Sequence, residues 1–553
     1  MGEGGGWRLT RGEVRSRRFA AAKQRGFVLL ASRMVNLKQS VAPAGAEVTR
    51  NAPHAVVIGG GFGGLAAAVR LGARGYRVTV LDRLDAPGGR AYVHHIDGFS
   101  FDAGPTIITA PFLLEELWAL AGRRLEDDID LRPMTPFYRL RFDDGSWFDC
   151  SGDPDAMRAE VARLSPEDVD GYEKFMELSS RLCRVGFENA AHTPFGSLMD
   201  MARVAPEMIA VKAWRSIYAA VCSYVRHPHL RVALSFHPLL IGGNPMSVSA
   251  IYGMISSLER RWGVHFAMGG TGALVRGLVS LIEGQGNVVR CGAEVTQILT
   301  KDRRAVGVRL SSGEEIAADI VVSNADAAWT YRYLLPAEDR RHWTDRKVEG
   351  MDYSNGLFVW YFGVNRRYDD VGHHTITLGS DYKGLLKDIF SKKVLSQDFS
   401  LYLHRPTATD PSLAPPGCDT FYVLSPIPHL DAKIDWATEA EPYRRAIAKF
   451  LDNTLLPGFE QHVVASRVTT PQDFHDRLLS FKGAGFGMEP VLLQSAYFRP
   501  HNKSEDVENL FLVGAGTHPG AGIPGVLSSA KVLDKVAPDA SAFASAQAGA
   551  AST

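Results

Sequence analysis

The chain has 553 residues, 45% of them hydrophobic, and equal numbers of Lys+Arg and Asp+Glu, 61 each, so its formal net charge is zero. This length and composition can supply the cores of two or three domains. The balanced charge argues against a nucleic-acid partner, which would need a strongly basic surface. The five cysteines are isolated and lack a C-x-x-C pair. We therefore expect reduced thiols in a cytosolic setting, and no cysteine-based zinc or iron–sulfur site.

Residues 1–50 differ from the rest of the chain because they are rich in arginine and poor in acids. Their apolar piece, residues 27–31, is too short for the core of a secretory signal or for a membrane span. Two interpretations stay open: an organelle transit peptide, or a disordered extension with Met34 as the true start. We favour the extension, since a fold that opens on a buried strand begins at or near that strand.

A strand, a glycine-rich turn and a helix start follow one another from residue 55. Residues 55–58 are an apolar run typical of a buried parallel strand. Gly59, Gly61 and Gly64 then have the G-x-G-x-x-G spacing. The first permits a tight turn, the second lets the backbone approach a pyrophosphate, and the third lets the helix pack closely on the strand. A helix N-terminus also attracts phosphate, so the pattern predicts a dinucleotide site rather than an ordinary loop.

The next predicted strand, residues 77–81, ends on Asp82, 18 residues after Gly64. This is close to the position, about 20 residues on, of a carboxylate that binds the cofactor's ribose. Its negative charge also disfavours a 2′-phosphate on that ribose.

Two further turns follow the acid, Pro-Gly-Gly-Arg at residues 87–90 and Asp-Ala-Gly-Pro-Thr at residues 102–106. Each alone is compatible with an ordinary turn. Their order after the acid resembles the FAD-dependent amine oxidase and carotenoid desaturase superfamily. In that superfamily the arginine lies beside the pyrophosphate, where a guanidinium can bind two oxygens at once. We assign to the cofactor site Gly89, Arg90, Gly104, Pro105 and Thr106.

The middle of the chain contains a hairpin and a long helical region. Residues 138–148 alternate around an Asp-Asp-Gly turn, and residues 151–260 read as mostly helical. Within them, residues 194–221 crowd methionine, tryptophan and other apolar side chains between Arg203, Lys212 and Arg215. Such a basic amphipathic stretch can lie in a membrane interface, or it can be a helix buried in the core, and both stay open here.

A second strand, turn and helix start lie over 400 residues after the first. Residues 510–513 are apolar, and five glycines follow within twelve residues before a helical pattern begins at about Pro524. A simple turn would explain a few glycines but not this density. A helix N-terminus here could stabilise negative charge on the N1/O2 region of a reduced flavin. We assign to the same site Gly514, Gly516, Gly525 and Val526, together with Val295 on an earlier predicted strand.

These elements predict an α/β protein with a discontinuous Rossmann-like FAD-binding domain. The protein is predicted to contain, in addition, a substrate domain of mixed sheet and a helical subdomain. The helical subdomain is the one considered above for membrane contact. The predicted FAD-binding parts are residues 51–150, 261–345 and 501–537. The predicted substrate parts are the helical subdomain, 151–260, and the sheet, 346–500. Residues 538–553 are rich in alanine and serine and are predicted to be a disordered tail.

From about residue 55 to 537 the chain resembles the bacterial and fungal type of phytoene desaturase. The stretches that carry this likeness are residues 59–66, 101–106, 235–245, 403–407, 494–502 and 513–524. The first two belong to the whole superfamily, and the last four are specific to carotenoid desaturases. The resemblance implies an FAD enzyme that desaturates a C40 polyene such as phytoene, stepwise, toward neurosporene or lycopene. It also implies a cytoplasmic protein docked peripherally on a membrane, because the substrate is a hydrocarbon held in the bilayer, with quinone or oxygen as electron acceptor.

Desaturation requires only the loss of a hydride and a proton. Hydride loss would leave a cation delocalised over the polyene, acidic at the neighbouring carbon, so a weak base suffices. We therefore expect alignment in an apolar tunnel rather than a catalytic triad. Four residues are candidates for the base or for stabilising the cation, with a structural hydrogen bond as the alternative for each, and none is chosen: Asp326, His265, His404 and Glu489.

The histidine pairs do not predict a metal site. The pairs at residues 94–95 and 373–374, and His227 with His229, lack a helical i, i+4 partner with a carboxylate. We expect no metal.

Other functions remain possible on this scaffold. One is a sister activity: a carotene isomerase, a later-pathway desaturase or a C30 desaturase. Another is a non-catalytic carrier of flavin or isoprenoid. An NAD-dependent dehydrogenase would explain the first glycine turn, but it leaves the second glycine run without a role.

Overall fold

The computed structural model describes residues 52–543, so the expectations for residues 1–50 and for the tail beyond residue 543 fall outside the described residues. Within this range the strands in chain order are β1 (His54–Ile58), β2 (Arg77–Leu81), β3 (Val93–Ile96), β4 (Phe99–Asp102), β5 (Leu131–Pro133), β6 (Tyr138–Arg141), β7 (Trp147–Cys150), β8 (His265–Ala267), β9 (Val288–Arg290), β10 (Val295–Lys301), β11 (Arg304–Leu310), β12 (Glu315–Ala317), β13 (Ile320–Ser323), β14 (Gly356–Val364), β15 (His374–Thr377), β16 (Leu401–His404), β17 (Asp419–Ile427), β18 (Val463–Thr469) and β19 (Leu510–Leu512). The α-helices in the same order are α1 (Phe62–Ala73), α2 (Phe112–Leu120), α3 (Leu125–Asp128), α4 (Pro154–Leu164), α5 (Val169–Cys183), α6 (Leu198–Ala210), α7 (Ile217–Val221), α8 (Pro228–Ala233), α9 (Met254–Trp262), α10 (Gly270–Gly284), α11 (Ala327–Trp329), α12 (Asp345–Glu349), α13 (Tyr382–Lys387), α14 (Trp436–Thr454), α15 (Pro471–Leu478) and α16 (Ile523–Val536).

A five-stranded parallel sheet carries both glycine-rich turns. Its order is β19-β13-β1-β2-β9, and every pairing is parallel. Every residue of β1 is buried, as expected for a parallel strand covered on both faces. Ala55 and Val57 pack with α1, α10 and α16, while Val56 and Ile58 pack on the side of the small sheet β10-β11-β12. The strands come from distant parts of the sequence, so this α/β unit is discontinuous, as predicted.

The second large sheet is mixed and has seven strands, in the order β18-β14-β17-β16-β15-β6-β7. The predicted hairpin, β6 and β7, exists but joins this sheet, because β6 pairs in parallel with β15, Leu140 lying opposite Ile376. The boundary that assigned residues 51–150 to the FAD-binding domain was therefore wrong for the hairpin. The alternation of apolar and polar residues along the chain predicts a hairpin, but it does not show which distant strand the hairpin pairs with.

Residues 151–260 are mainly helical, as predicted, and contain α4 to α9. None of the residues of helix α6 is fully buried, and Met208 is partly buried against the core cluster that contains Leu182 and Val185. Leu198, Met199, Ile209 and the nearby Trp214 are about three-fifths exposed, at 63%, 62%, 61% and 58%. A core helix was therefore the wrong interpretation of this part of residues 194–221, whereas α7 at the end of the stretch does contribute to the core. Across residues 52–543, no helix has both the length and the apolar character needed to cross a membrane.

The start of the predicted disordered tail is packed. Tyr76 donates its hydroxyl to the carbonyl of Pro538 over 2.7 Å, and its ring lies 6.2 Å from that of Phe543. Disorder was therefore the wrong prediction for residues 538–543. The segment is rich in alanine and serine, but its one aromatic residue, Phe543, packs against Tyr76.

Candidate functional site

The two glycine runs meet at the carboxyl edge of the parallel sheet. A Cβ atom added to Gly63 would lie 2.9 Å from the backbone nitrogen and Cα of Gly514. Gly59 has a φ of 91°, which glycine adopts without strain. A Cβ on Gly64 would collide with the carbonyl of Gly59, so this glycine does allow the close packing of turn and helix that its spacing predicts. The edge of the sheet thus has a surface without side chains. We call this surface, formed by Gly59, Gly61, Gly63 and Gly514, the glycine cradle.

Asn324 joins the two runs, and the sequence did not identify it as a site residue. It follows β13 directly and donates its side-chain amide to the carbonyl of Gly59 over 3.2 Å. Added Cβ atoms on Gly63 and Gly514 would each lie 2.5 Å from its Oδ1 atom. Its position after a buried strand was the available signal, because ligands of open parallel sheets bind at the carboxyl ends of the strands.

Asp82 lies at the end of β2, beside the first turn. Its carboxylate accepts hydrogen bonds from the backbone N–H of Gly60, at 2.7 Å, and of Leu84, at 2.9 Å. Burial raises its pKa, and these two N–H groups oppose the rise. The carboxylate thus fixes the turn while bordering the cavity described next.

Arg90 supplies a half-buried positive charge. One of its terminal nitrogens donates to Ser480 Oγ over 2.7 Å, whereas its buried Nε has no partner among the described residues. Burial lowers the pKa of the guanidinium, which Asp326 partly offsets. A Cβ on Gly104 would collide with the backbone carbonyl of Arg90, so the two predicted turns are packed together. An incompletely paired guanidinium beside a glycine cradle fits the pyrophosphate and dinucleotide of FAD.

A cavity of about 440 Å³ extends from this cradle into the molecule. It is lined by most of the residues predicted for the cofactor: Gly59, Gly61, Asp82, Gly89, Arg90, Gly104, Pro105, Thr106, Val295, Gly514, Gly525 and Val526. Gly64 and Gly516 are not part of its lining. Gly64 packs in the turn, and an added Cβ on Gly516 would lie 2.7 Å from Ala327 Cβ.

Away from the cradle the cavity wall is largely apolar. Side chains of the mixed sheet and the helical region form it, among them Ile107, Leu239, Leu240, Ile241, Leu258, Leu357, Leu424 and Phe486. The hydroxyl of Thr106 lies 2.9 Å from that of Tyr402 and 2.7 Å from that of Tyr422, which also line the cavity. In the described structure Thr106 therefore links the cradle to the mixed sheet. An elongated apolar ligand would fit such a wall better than a polar one.

Of the four candidate bases, Asp326 lines the cavity. Its Oδ1 caps helix α11 by accepting from the backbone N–H of Ala328, at 2.9 Å, and of Trp329, at 3.2 Å. Burial raises its pKa, and the Arg90 guanidinium opposes the rise. His265, His404 and Glu489 are not part of the cavity lining.

The acid Glu259 and its two partners at the cavity were missed by sequence reasoning. Tyr138 donates its hydroxyl to Glu259 Oε2 over 2.5 Å and lies 2.8 Å from His237 Nε2. Glu259 and His237 are both buried and both line the cavity. They come from distant segments, so no spacing in the sequence indicates the cluster.

Glu489, which does not line the cavity, has a carboxyl whose pKa shift can be tested by the pH dependence of stability. Burial raises the pKa of its carboxyl from 4.5 to about 7, although the Asn244 backbone and Ser247 hydrogen-bond it. A carboxyl whose pKa is raised by folding holds its proton in the folded state when the unfolded chain has lost it. Stability therefore falls as pH rises from about 4.5 to about 7 and then levels off.

Glu489→Gln should remove this contribution. The variant is expected to gain stability relative to the wild type at pH 8, and to gain less at pH 5, as measured by urea unfolding at both values. An equal change at the two pH values would show that the Glu489 carboxyl titrates normally.

Comparison with known proteins agrees with this geometry. Residues 62–532 match the family model described as flavin containing amine oxidoreductase. The chain is 51% identical over 506 residues to a phytoene desaturase (neurosporene-forming) of Cereibacter sphaeroides, covering 91% of this chain and 96% of that protein. It is 48% identical over 477 residues to a phytoene desaturase (lycopene-forming) of Pseudescherichia vulneris, covering 86% and 97%. A solved putrescine oxidase structure, 14% identical, superposes with a TM-score of 0.61 over 89% of this chain and 99% of that one, and so supports the fold.

The glycine cradle, Asp82 after β2 and the half-buried Arg90 thus occur in a chain that is similar over most of its length to phytoene desaturases. The chain belongs to the flavin-containing amine oxidoreductase family and, within it, to the phytoene desaturases.

Proposed function

We propose that this protein is an FAD-dependent phytoene desaturase of carotenoid biosynthesis, which introduces C=C bonds stepwise into a C40 polyene, toward neurosporene or lycopene. The observation that carries the proposal is the single cavity that joins a dinucleotide cradle to a largely apolar wall, in a chain about half identical to neurosporene- and lycopene-forming relatives. Both kinds of relative are similarly close, so the number of steps is left to experiment.

The cradle would hold FAD in a fixed orientation. Gly59, Gly61 and Gly514 leave room for the backbone to approach the pyrophosphate, and Arg90 would pair with its oxygens. When bound, FAD supplies the hydride acceptor. The N-terminus of α16, with Gly525 and Val526 on the cavity, would favour negative charge beside it.

The apolar wall would align the polyene and exclude water. Positioning of this kind can account for several kcal/mol of a reaction barrier. Leu239, Leu240 and Leu424 offer the hydrocarbon no polar partner. Four carboxyl groups line the cavity, those of Asp82, Glu259, Glu294 and Asp326. Because Asp82 holds the first turn and Glu294 pairs with Arg83 at 3.4 Å, we consider Asp326 and Glu259 as acceptors of a proton from a cationic polyene.

We favour Asp326 as the proton acceptor. It lines the cavity beside Arg90, whereas Glu259 already accepts the Tyr138 hydroxyl. Its raised pKa makes it a better base than an ordinary aspartate, and its charge would stabilise a neighbouring cation.

A lipid membrane is the partner proposed for the exposed surface of α6. This α6 surface comprises Leu198, Met199, Ile209 and Trp214, with Phe498 of the turn Ala496–Phe498 that packs against the helix. Three basic residues, Arg203, Lys212 and Arg215, lie in the same stretch of the chain, and Arg203 pairs with Asp200 at 3.0 Å. Exposed apolar groups rimmed by basic residues suit an interface of acyl chains and anionic headgroups, and a bilayer-held hydrocarbon substrate requires such access. We propose a cytoplasmic, peripheral membrane location, with a membrane quinone or oxygen as electron acceptor.

Trp214→Glu should weaken binding to anionic liposomes by about tenfold, since 1.4 kcal/mol corresponds to a factor of ten and moving a large apolar side chain out of the interface costs at least that much. Trp147→Glu is the matched control, because Trp147 is also exposed, at 42%, but lies on β7. Liposome co-sedimentation measures both. Equal binding by the two variants would mean that the α6 surface does not touch the bilayer.

The activity is tested by incubating the FAD-loaded protein with phytoene in liposomes and separating the extracted pigments. Accumulation of polyenes with progressively longer chromophores would support the proposal and count the steps. Conversion of a later carotene but not of phytoene would identify a sister desaturase. No conversion of either would favour an isomerase or a carrier.

A further inference from the structure

Three imidazole rings converge behind the cavity wall, in a place that the reaction does not use. His374 on β15 lies directly opposite His404 on β16 in the antiparallel register. His373, the residue before β15, places its Nε2 atom 3.1 Å from His404 Nε2. One nitrogen from each of the three rings lies within 4.8 Å of the others. His374 and His404 are buried, and His373 is partly buried.

The outer nitrogens of two rings are already occupied. His373 Nδ1 lies 2.6 Å from Thr409 Oγ1, and His374 Nδ1 lies 2.7 Å from the Tyr402 hydroxyl. If each Nδ1 donates its hydrogen to that oxygen, each Nε2 carries a lone pair directed toward the cluster. Metal-binding histidines in proteins show this same arrangement, with the second nitrogen held by an oxygen.

One ring nitrogen of His374 and one of His404 lack partners in the described structure. His374 Nε2 and His404 Nδ1 are buried without a hydrogen bond among the described residues. A hydrogen bond between His373 Nε2 and His404 Nε2 satisfies those two atoms. It leaves His374 Nε2 and His404 Nδ1 as acceptors without a donor. Each of those acceptors is costly when buried and unpaired, and a positively charged or hydrogen-donating group would satisfy them.

We propose that His373, His374 and His404 bind one divalent transition-metal ion of the zinc type, as a structural site that ties β15 to β16 behind Tyr402 and Tyr422. Zinc bonds histidine nitrogens at about 2.0–2.1 Å, so two ligands of a tetrahedral ion lie about 3.3 Å apart. The Nε2 atoms of His373 and His404 are 3.1 Å apart, close to that separation. Neutral imidazoles are suitable ligands for such ions. Three protein ligands leave the fourth position to water.

The positive charge nearest to the cluster along the chain is paired with acids. The nearest arginine along the chain, Arg405, is already neutralised by Asp419 and Asp369, each at 2.9 Å. Phe266 packs on His373 with ring centroids 4.6 Å apart and shields that side from water. A tight ion there would order the tyrosines that hydrogen-bond Thr106, without touching the substrate.

The test uses the full chain without a histidine tag, purified from zinc-supplemented culture and analysed by mass spectrometry of metals. We expect about one zinc ion per chain, and less than a tenth of that in His374→Gln and His404→Gln. His229→Gln is the matched control, because His229 belongs to another close histidine pair, its ring 5.2 Å from that of His227. Its zinc content should equal that of the wild type.

Two further readouts keep the outcome clear if a variant folds poorly. Titration of the metal-free wild type with Co²⁺ should produce the visible absorption of a four-coordinate site, and a chelator should lower the melting temperature of the wild type only. A wild-type chain that neither contains zinc nor takes up Zn²⁺ or Co²⁺ would overturn the proposal and leave a hydrogen-bonded histidine cluster. So would unchanged metal content in His374→Gln and His404→Gln.

Discussion

Gly61→Val should abolish FAD binding while leaving the protein folded. Gly61 has φ −73° and ψ 172°, an extended conformation that valine also adopts, so this glycine is needed for space and not for backbone freedom. An added Cβ would lie 3.0 Å from the side-chain nitrogen of Asn324, which has to move only a little. The remaining valine atoms would occupy the cradle. We expect affinity for FAD to fall at least about 100-fold, about 2.7 kcal/mol, as measured by flavin fluorescence titration.

Gly284→Val is the matched control. Gly284 ends helix α10, and a Cβ added there meets nothing within 4 Å. This variant should bind FAD like the wild type, and circular dichroism should show that both variants are folded. Full FAD occupancy in Gly61→Val would refute the assignment of the cradle.

Asp326→Asn should lower the turnover number by about 100-fold or more, the usual contribution of a general base, while FAD occupancy stays unchanged. Asparagine caps helices as well as aspartate does, so the hydrogen bonds to the Ala328 and Trp329 backbone survive and α11 should persist. What is lost is the charge and the proton acceptor at the cavity. Steady-state rates with phytoene liposomes and the flavin absorbance of the purified variant measure the two quantities separately.

Asp435→Asn provides the comparison, because Asp435 caps the N-terminus of α14 in the same way, through Ala437, but does not line the cavity. It should leave the turnover number near that of the wild type. If Asp326→Asn turned over phytoene at the wild-type rate, the base would have to be sought elsewhere, and Glu259 would be the next candidate.

The sequence predicted the parts of the site that depend on local backbone chemistry. A G-x-G-x-x-G turn, an acid at the end of the next strand and a glycine-rich return are each set by a few neighbouring residues, and all three meet at one sheet edge. They were predictable because strand, turn and helix start are short-range features, and because parallel strands present their carboxyl ends together.

Features that depend on long-range packing were not predictable in this way. Asn324 joins two glycine runs far from each other in sequence, and the Tyr138–Glu259 contact spans 121 residues. The hairpin β6-β7 was recognised, but its partner strand β15 lies more than 200 residues on. Composition also failed to show that α6 is exposed, since an apolar helical stripe is equally typical of a core helix.

The most direct test of the central claim is anaerobic mixing of the FAD-loaded protein with phytoene liposomes, following the flavin absorbance and the extracted pigments in the same sample. The account predicts that the oxidised flavin band bleaches as longer-wavelength polyenes form, one new double bond for each flavin reduced. A flavin that stays oxidised while phytoene is unchanged, in protein shown to carry FAD and to bind the liposomes, would contradict it.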